Sequence, residues 1–202
     1  MIRRPVSFAT AAACAVVLAL AACQGSPEAG HSGTTSLPST AVSSSTSPEP
    51  PRWSAEESQA IEAAKARYAA ARAAIDAAMK APAKSTRAAL AKAGNGGNWL
   101  IEVDHSVNQY KKYGWYRAGE VADVSTVAKS VELRAAQPKV VFDVCIDSAK
   151  TQIRFQKDDK PVPIGSRSNP RQRAQATLIF APPLHQTTAM WFLIDEKSTG
   201  EC

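Results

Sequence analysis

The first 51 residues can contribute almost nothing to a hydrophobic core, and this limits what the chain can fold into. Residues 1–23 form an apolar leader with two arginines near its start. Residues 24–51 read QGSPEAGHSGTTSLPSTAVSSSTSPEPP, a Ser-, Thr- and Pro-rich composition typical of a disordered linker. Residues 52–202 must therefore supply the core, a length that fits one domain and excludes a large multidomain enzyme.

The leader predicts export and a lipid anchor. Arg3 and Arg4 precede an apolar stretch and small residues, as in a secretory signal. The sequence LAAC at residues 20–23 resembles the bacterial lipobox, which implies cleavage before Cys23 and a diacylglyceryl group on its sulfur. We therefore predict a signal peptide over residues 1–22, lipidation of Cys23, and anchoring to the outer face of the cell membrane. A plain secretory signal or an uncleaved transmembrane helix is the alternative.

The cysteine count fits the same compartment. Of the four cysteines, Cys14 lies in the leader and Cys23 is the predicted lipid site, so Cys145 and Cys202 remain. An even pair in an oxidising compartment predicts one disulfide between them. Two free thiols or an intermolecular bridge are the alternatives.

Helices are predicted in the first part of residues 52–202. The sequence SAEE at residues 54–57 is a capping box, which predicts a helix over 54–80 ended by Ala81-Pro82. A short helix follows over 86–92, and a third over 98–113 is ended by Gly114. Spacing of three and four residues places one apolar set of the first helix on its packed face: Ile61, Ala64, Tyr68, Ala71, Ile75 and Met79. The charged residues expected on the other side are Glu62, Lys65, Arg72 and Asp76.

Strands are predicted after the helices. Residues 121–133 fit one strand or a long bulged hairpin, and 139–147 alternate most clearly. Further strands are expected over 151–157, 172–181 and 188–195, the last two as a hairpin. Helices followed by strands predict an α+β domain in which the helices pack on one face of an antiparallel sheet.

This arrangement resembles the nuclear-transport-factor-two-like (cystatin-like) superfamily, and in particular actinobacterial secreted and prophage-borne lipoproteins of that class. The resemblance lies in the lipobox and linker, the strand end CID at 145–147, Trp191, and the ending GEC at 200–202. It implies a curved-sheet cone over residues 52–202. It selects no function, because this fold hosts isomerases, cyclases, dehydratases, carriers and binding modules.

An enzyme of this fold would need acid and base groups within the cone. Isomerases of the fold use an aspartate base with a tyrosine and a protonated aspartate that stabilise an oxyanion. The residues of this chain that could form such a set are Asp104, His105, Tyr110, Asp143 and Asp147. We favour the alternative that the acids are solvated or capping groups and His105 a surface residue, so no catalytic residue is predicted.

Metal, cofactor and nucleic-acid sites are not predicted. His31, His105 and His185 are scattered, and the sequence contains neither H-x-x-H nor C-x-x-C. It also lacks the phosphate-binding G-x-x-x-x-G-K-[ST] pattern and the G-x-S-x-G elbow of hydrolases. A nucleic-acid-binding surface usually has aromatic residues among its basic ones, and no aromatic residue is interleaved among the basic residues between 157 and 173 that cluster in sequence.

Two sets of residues are candidate binding surfaces. The chain carries a formal net charge of +6, and a basic set before the fourth strand could face anionic lipid headgroups or wall polymers. This set is Lys157, Lys160, Arg167, Arg171 and Arg173. The second set, Tyr110, Tyr113, Trp115 and Tyr116, could rim an apolar pocket at the mouth of the cone. The alternatives are a solvated loop for the first set and, preferred for the second, ordinary helix-to-sheet packing.

The sequence therefore predicts a non-catalytic lipoprotein of the cell envelope that binds a partner protein or a small apolar ligand. One alternative, from the resemblance, is a phage-related surface lipoprotein that confers superinfection exclusion by blocking phage DNA entry. Another is an isomerase- or cyclase-like enzyme. The sequence fixes no oligomeric state; a dimer through the open sheet face is compatible with the resemblance.

Overall fold

The structure is a computed structural model that describes residues 52–165, 169–184 and 186–202. The predicted signal peptide, Cys23, the linker, Arg167 and His185 lie outside these residues. The helices are α1 (Ala55–Lys80), a short 3-10 helix (Pro82–Lys84), α2 (Arg87–Lys92) and α3 (Gly97–Tyr113). The strands are β1 (Trp115–Ala118), β2 (Ala122–Glu132), β3 (Lys139–Asp147), β4 (Gln152–Phe155), β5 (Arg171–Ala181) and β6 (Met190–Gly200).

The three helices agree with the sequence prediction. At the start of α1, the Glu57 backbone N–H donates to the Ser54 hydroxyl, and the Ser54 backbone N–H donates to the Glu57 carboxylate, which is the predicted capping box. The six residues expected on the packed face of α1 are all buried. Gly114 ends α3 with a φ of +63°, a left-handed conformation that glycine adopts without steric cost.

The main sheet has the order β2-β3-β5-β6, and every neighbouring pair is antiparallel. One face of this sheet packs against α1 and forms the core. Its buried residues are Val140, Phe142 and Val144 of β3, Ala174, Ala176 and Leu178 of β5, and Trp191 and Leu193 of β6. The predicted α+β class, with helices on one face of an antiparallel sheet, is confirmed; the cone shape stays a prediction.

The strands agree with the prediction in one place and differ from it in two. Residues 122–132 form one strand with two bulges, the first of the two predicted alternatives. β4 does not join the main sheet but pairs with β1, so that Trp115 lies opposite Phe155. β1 itself was not predicted, because four residues are too few for a periodic pattern and their partner strand comes much later in the chain.

Gly119 determines how the chain passes from β1 to β2. Its φ is +80°, and a Cβ atom there would lie 1.7 Å from the carbonyl oxygen of Lys150. No side chain fits at that distance, so this close approach of two backbone segments requires glycine.

A disulfide joins Cys145 of β3 to Cys202, two residues beyond the end of β6, with Cα atoms 6.0 Å apart. This is the pairing that the cysteine count predicts. It attaches the C-terminal residue to a central strand of the main sheet. Among the described residues, no helix is both long and apolar enough to span a membrane.

Candidate functional site

Three of the four aromatic residues predicted to rim a pocket lie together at the end of α3. The rings of Tyr113 and Trp115 stack with centroids 4.8 Å apart and planes inclined by 28°, and Tyr110 meets Trp115 edge-on at 6.1 Å. The fourth, Tyr116, donates its hydroxyl to Asp159 instead. Most of this set therefore packs as helix-to-strand contact, but Tyr113 is 50% exposed.

The turn at Gly114 brings these rings together, because α3 ends there and β1 begins at the next residue. In the two-stranded sheet, Phe155 lies opposite Trp115. Two ammonium groups lie near the rings: Lys112 Nζ is 5.6 Å from the Tyr113 centroid, and Lys157 Nζ is 5.5 Å from the Phe155 centroid. Both distances suit cation–π attraction. We call Lys112, Tyr113, Trp115, Phe155 and Lys157 the aromatic surface.

A surface triad of Tyr116, Asp159 and Arg154 lies on the same two-stranded sheet and its turn. Arg154 Nη1 donates to Asp159 Oδ2 at 3.0 Å, and the Tyr116 hydroxyl donates to Asp159 Oδ1. The hydrogen bond from Tyr116, together with the Arg154 guanidinium, holds the pKa of Asp159 below its ordinary range. Asp159 has a φ of +57°, a left-handed conformation that aspartate tolerates better than most residues.

The predicted basic set is spread over two elements. Lys157 and Lys160 lie in the turn after β4, whereas Arg171 and Arg173 lie on β5. Lys160 pairs with Asp158 at 3.7 Å, and Arg171 pairs with Asp147 at 2.9 Å. Two of these four charges are thus partly neutralised, and Lys157 belongs to the aromatic surface.

The residues considered for an enzyme site do not share a cavity. Asp143 lies on the sheet face turned away from α1, whereas Asp104, His105 and Tyr110 lie on α3. Tyr110 packs on Trp115, and each of the others has a surface partner of its own. These pairs are Asp104 with Arg87 at 3.7 Å, His105 with Gln109 at 3.3 Å, Asp143 with Lys129 at 3.9 Å, and Asp147 with Arg171 at 2.9 Å.

A buried polar cluster that the sequence did not predict lies between α1 and the main sheet. Arg72 Nη1 donates to Glu196 Oε1 at 3.0 Å, and the Tyr68 hydroxyl donates to Glu196 Oε2 at 3.2 Å. The Arg72 and Glu196 side chains are only 16% and 7% exposed, so the placement of Arg72 on the solvent side of α1 was wrong. Burial raises the pKa of both Glu196 and Tyr68, and it also raises the pKa of the nearby Asp123 carboxyl.

A cleft of about 250 Å³ lies beside this cluster, and charged side chains form much of its lining. On one side, Asp76 Oδ1 accepts a hydrogen bond from Arg117 Nη2, and Asp76 Oδ2 is 2.7 Å from Lys80 Nζ. These pairs lower the pKa of Asp76 despite its partial burial. The lining residues are Ala69, Arg72, Ala73, Asp76, Glu120, Val121 and Asp123.

One sequence signal pointed to this cluster. Tyr68, Arg72, Asp76 and Lys80 follow one another at intervals of four, so they form a line along one side of α1. Three of these four residues take part in ion pairs that bind α1 to β1, to β6 or to the turn before β2. The ion pairs of Arg72, Asp76 and Lys80 therefore stabilise the packing of α1. In the part of the chain that the structure describes, no three His, Cys, Asp or Glu side chains come together as metal ligands.

Comparisons with known proteins were made for the sequence and for the fold. The chain matches no protein-family model, and no curated protein matches it in sequence. Among solved structures, the chain matches the intermembrane space region of the chloroplast protein ARC6, with a TM-score of 0.46 and 9% sequence identity. The match covers 74% of this chain and 99% of the other. At this level of similarity, the match supports no statement about family or function.

Proposed function

We propose that the protein is a lipid-anchored, non-catalytic binding module on the outer face of the cell membrane, and that it contacts an envelope partner through the aromatic surface. The observation that carries this proposal is Tyr113, whose ring is half exposed although one side of it stacks on Trp115. Exposed aromatic residues beside cationic ones are characteristic of binding surfaces, because they combine a large contact area with few rotatable bonds.

The interior of the domain favours a partner at the surface over a small apolar ligand within it. The space between α1 and the sheet is filled by large side chains that are fully buried, among them Tyr68, Phe142 and Leu178. The cleft beside Asp123 is lined by charged groups, which an apolar ligand would have to desolvate. The predicted apolar ligand is therefore the less favoured of the two partners.

The carboxylates of Glu196 and Asp76 support a non-catalytic role. A general acid or base needs a titratable group that can reach a substrate. Glu196 is enclosed and already accepts hydrogen bonds from Tyr68 and Arg72, and Asp76 is engaged by Arg117 and Lys80. These carboxylates maintain the structure of the domain.

Two α3 variants test the binding surface. Tyr113 and Ile101 are 50% and 51% exposed, so Ile101→Ala is a matched control for Tyr113→Ala. Each change is made in the full chain carrying Cys23→Ala, which removes the predicted anchor. We expect Tyr113→Ala to reduce retention on isolated cell envelopes by at least about 10-fold, as for a binding hot spot, and Ile101→Ala to leave it unchanged. Equal retention of both variants would contradict the proposal.

The anchor is tested separately by mass spectrometry of the protein purified from host membranes. We expect the first residue to be Cys23 with the mass of a diacylglyceryl group. An unmodified Cys23 would remove the membrane attachment from the proposal and leave the binding surface to be judged on the envelope assay.

A further inference from the structure

We propose that the aromatic surface binds an anionic polysaccharide of the cell envelope, with sugar rings on Tyr113 and their acidic groups paired to Lys112 and Lys157. This inference rests on the proposed function and specifies the partner of the same surface. Its basis is the combination of a flat exposed ring with two ammonium groups that lack an acidic partner.

The stack of Tyr113 on Trp115 supplies a rigid, flat contact. Ring centroids 4.8 Å apart at an inclination of 28° hold the Tyr113 side chain in place. The negative electrostatic potential of an aromatic face attracts the weakly positive C–H groups that cover one face of a pyranose ring. A sugar can therefore lie on Tyr113, and little side-chain entropy is lost because the ring is already ordered.

The two lysines supply the charge selectivity. Within residues 52–165, 169–184 and 186–202, ion pairs of lysine are formed by Lys80, Lys129, Lys139, Lys160 and Lys197. Within the same ranges, neither Lys112 nor Lys157 is paired with a carboxylate. By contrast, Lys160 in the same turn is paired with Asp158. Both free ammonium groups lie over rings, at 5.6 and 5.5 Å from the centroids. An acidic group on a sugar that contacts the exposed part of Tyr113 would therefore lie near Lys112.

The aromatic surface lies away from the residue at which the linker joins the domain. The linker joins the domain at Arg52, which donates to the Lys129 carbonyl near the start of α1. Arg117 of β1 instead pairs with Asp76 near the other end of α1. Because α1 has 26 residues, the two ends are about 39 Å apart at about 1.5 Å per residue. The aromatic surface therefore lies near the end of α1 opposite to the end that Arg52 adjoins.

The test uses the full chain with Cys23→Ala and two immobilised probes of one sugar backbone. Polygalacturonate carries a carboxylate on each sugar, and its methyl ester carries none. We expect retention on polygalacturonate and little on the ester. Tyr113→Ala should lower retention by about 10-fold or more, while Ile101→Ala leaves it unchanged. Lys112→Gln together with Lys157→Gln should lower it several-fold at low salt, and the difference should shrink as salt rises.

Other outcomes overturn the inference in distinguishable ways. Equal retention on the ester would show that charge is not recognised, and unchanged retention of Tyr113→Ala would place the contact elsewhere. Binding to phosphatidylglycerol vesicles without binding to polygalacturonate would assign the surface to a lipid bilayer. If no polygalacturonate is bound while Tyr113 still controls retention on envelopes, the polysaccharide is rejected and the proposed function stands. If Tyr113 affects neither, both are rejected.

Discussion

Two triads of the same chemistry occur in this domain, one buried and one exposed. The buried triad is Tyr68, Glu196 and Arg72, and the surface triad is Tyr116, Asp159 and Arg154. In each, a tyrosine hydroxyl and an arginine guanidinium donate to one carboxylate. Their environments differ: the Glu196 side chain is 7% exposed, and that of Asp159 is 64% exposed.

This difference in burial reverses the direction in which the pKa of the carboxyl group is shifted. Loss of solvation outweighs the two donors at Glu196 and raises its pKa, whereas the donors dominate at Asp159 and lower its pKa. Identical partners therefore do not make identical sites. The buried triad fixes α1 on β6, and the surface triad shapes a turn beside the aromatic surface, where contact with a partner is possible.

Removal of the disulfide is expected to have the largest effect on the free energy of unfolding. Cys202 follows β6, the strand that carries Glu196, and the bridge closes a loop of 57 positions. For such a loop, Cys202→Ser should lower the free energy of unfolding by about 4 kcal/mol. Urea unfolding with and without reductant measures this loss, with Cys23→Ala as a control. A loss below about 1 kcal/mol would show that loop closure contributes little here.

The next largest effect is expected from Arg72→Met. This change leaves the Glu196 carboxylate enclosed without its cation, and breaking a buried pair in this way costs about 3 kcal/mol or more. Urea unfolding measures the loss of stability. Arg87→Met is the matched control, since Arg87 is more than half exposed in its pair with Asp104. If both variants lose equally little, the Arg72–Glu196 pair does not hold α1 in place.

Local signals in the sequence were sufficient to predict much of the fold. The capping box at 54–57 and the spacing of α1, the alternation of β3, and the count of two remaining cysteines each predicted a feature that the structure contains. Each of these signals depends on residues close in sequence or on a simple count. The class of the domain followed from the order of helices and strands.

The spacing along α1 aligns Tyr68 and Arg72, but the inward orientation of Glu196 was not predictable, because it depends on a bulge. Leu178 lies opposite Leu193, but Thr177 lies opposite Asp195, so one extra residue interrupts β6 at position 194. Without this bulge, strict alternation from Leu193 would turn Asp195 to the core and Glu196 to solvent. The bulge places Glu196 opposite the fully buried Ala176, where it meets Arg72.

The stability contributions of Glu196 and Asp159 should change in opposite directions as the pH rises. Because the pKa of Glu196 is raised above its ordinary 4.5, its contribution to stability is full below that value and is lost as the pH rises through the folded pKa. The stability difference between the native chain and Glu196→Gln should therefore fall as the pH rises above 4.5.

The opposite trend is expected for Asp159. Its pKa is lowered below 3.8, so its contribution is present above that value and is lost as the pH falls through the folded pKa. The difference between the native chain and Asp159→Asn should fall on acidification in that range. Urea unfolding at a series of pH values measures both trends, and two trends of the same sign would show that burial does not distinguish the carboxylates.

The smallest effect is expected from Arg154→Met in the surface triad. Because Arg154 and Asp159 are exposed, water and salt screen their attraction, and an exposed pair contributes about 1 kcal/mol or less. Tyr116 also remains as a donor to Asp159. Urea unfolding of this variant at low and high salt should show a small loss of stability that salt diminishes. A loss as large as that of Arg72→Met would mean that the exposed triad supports the fold as strongly as the buried one, and the burial-based distinction between the triads would no longer hold.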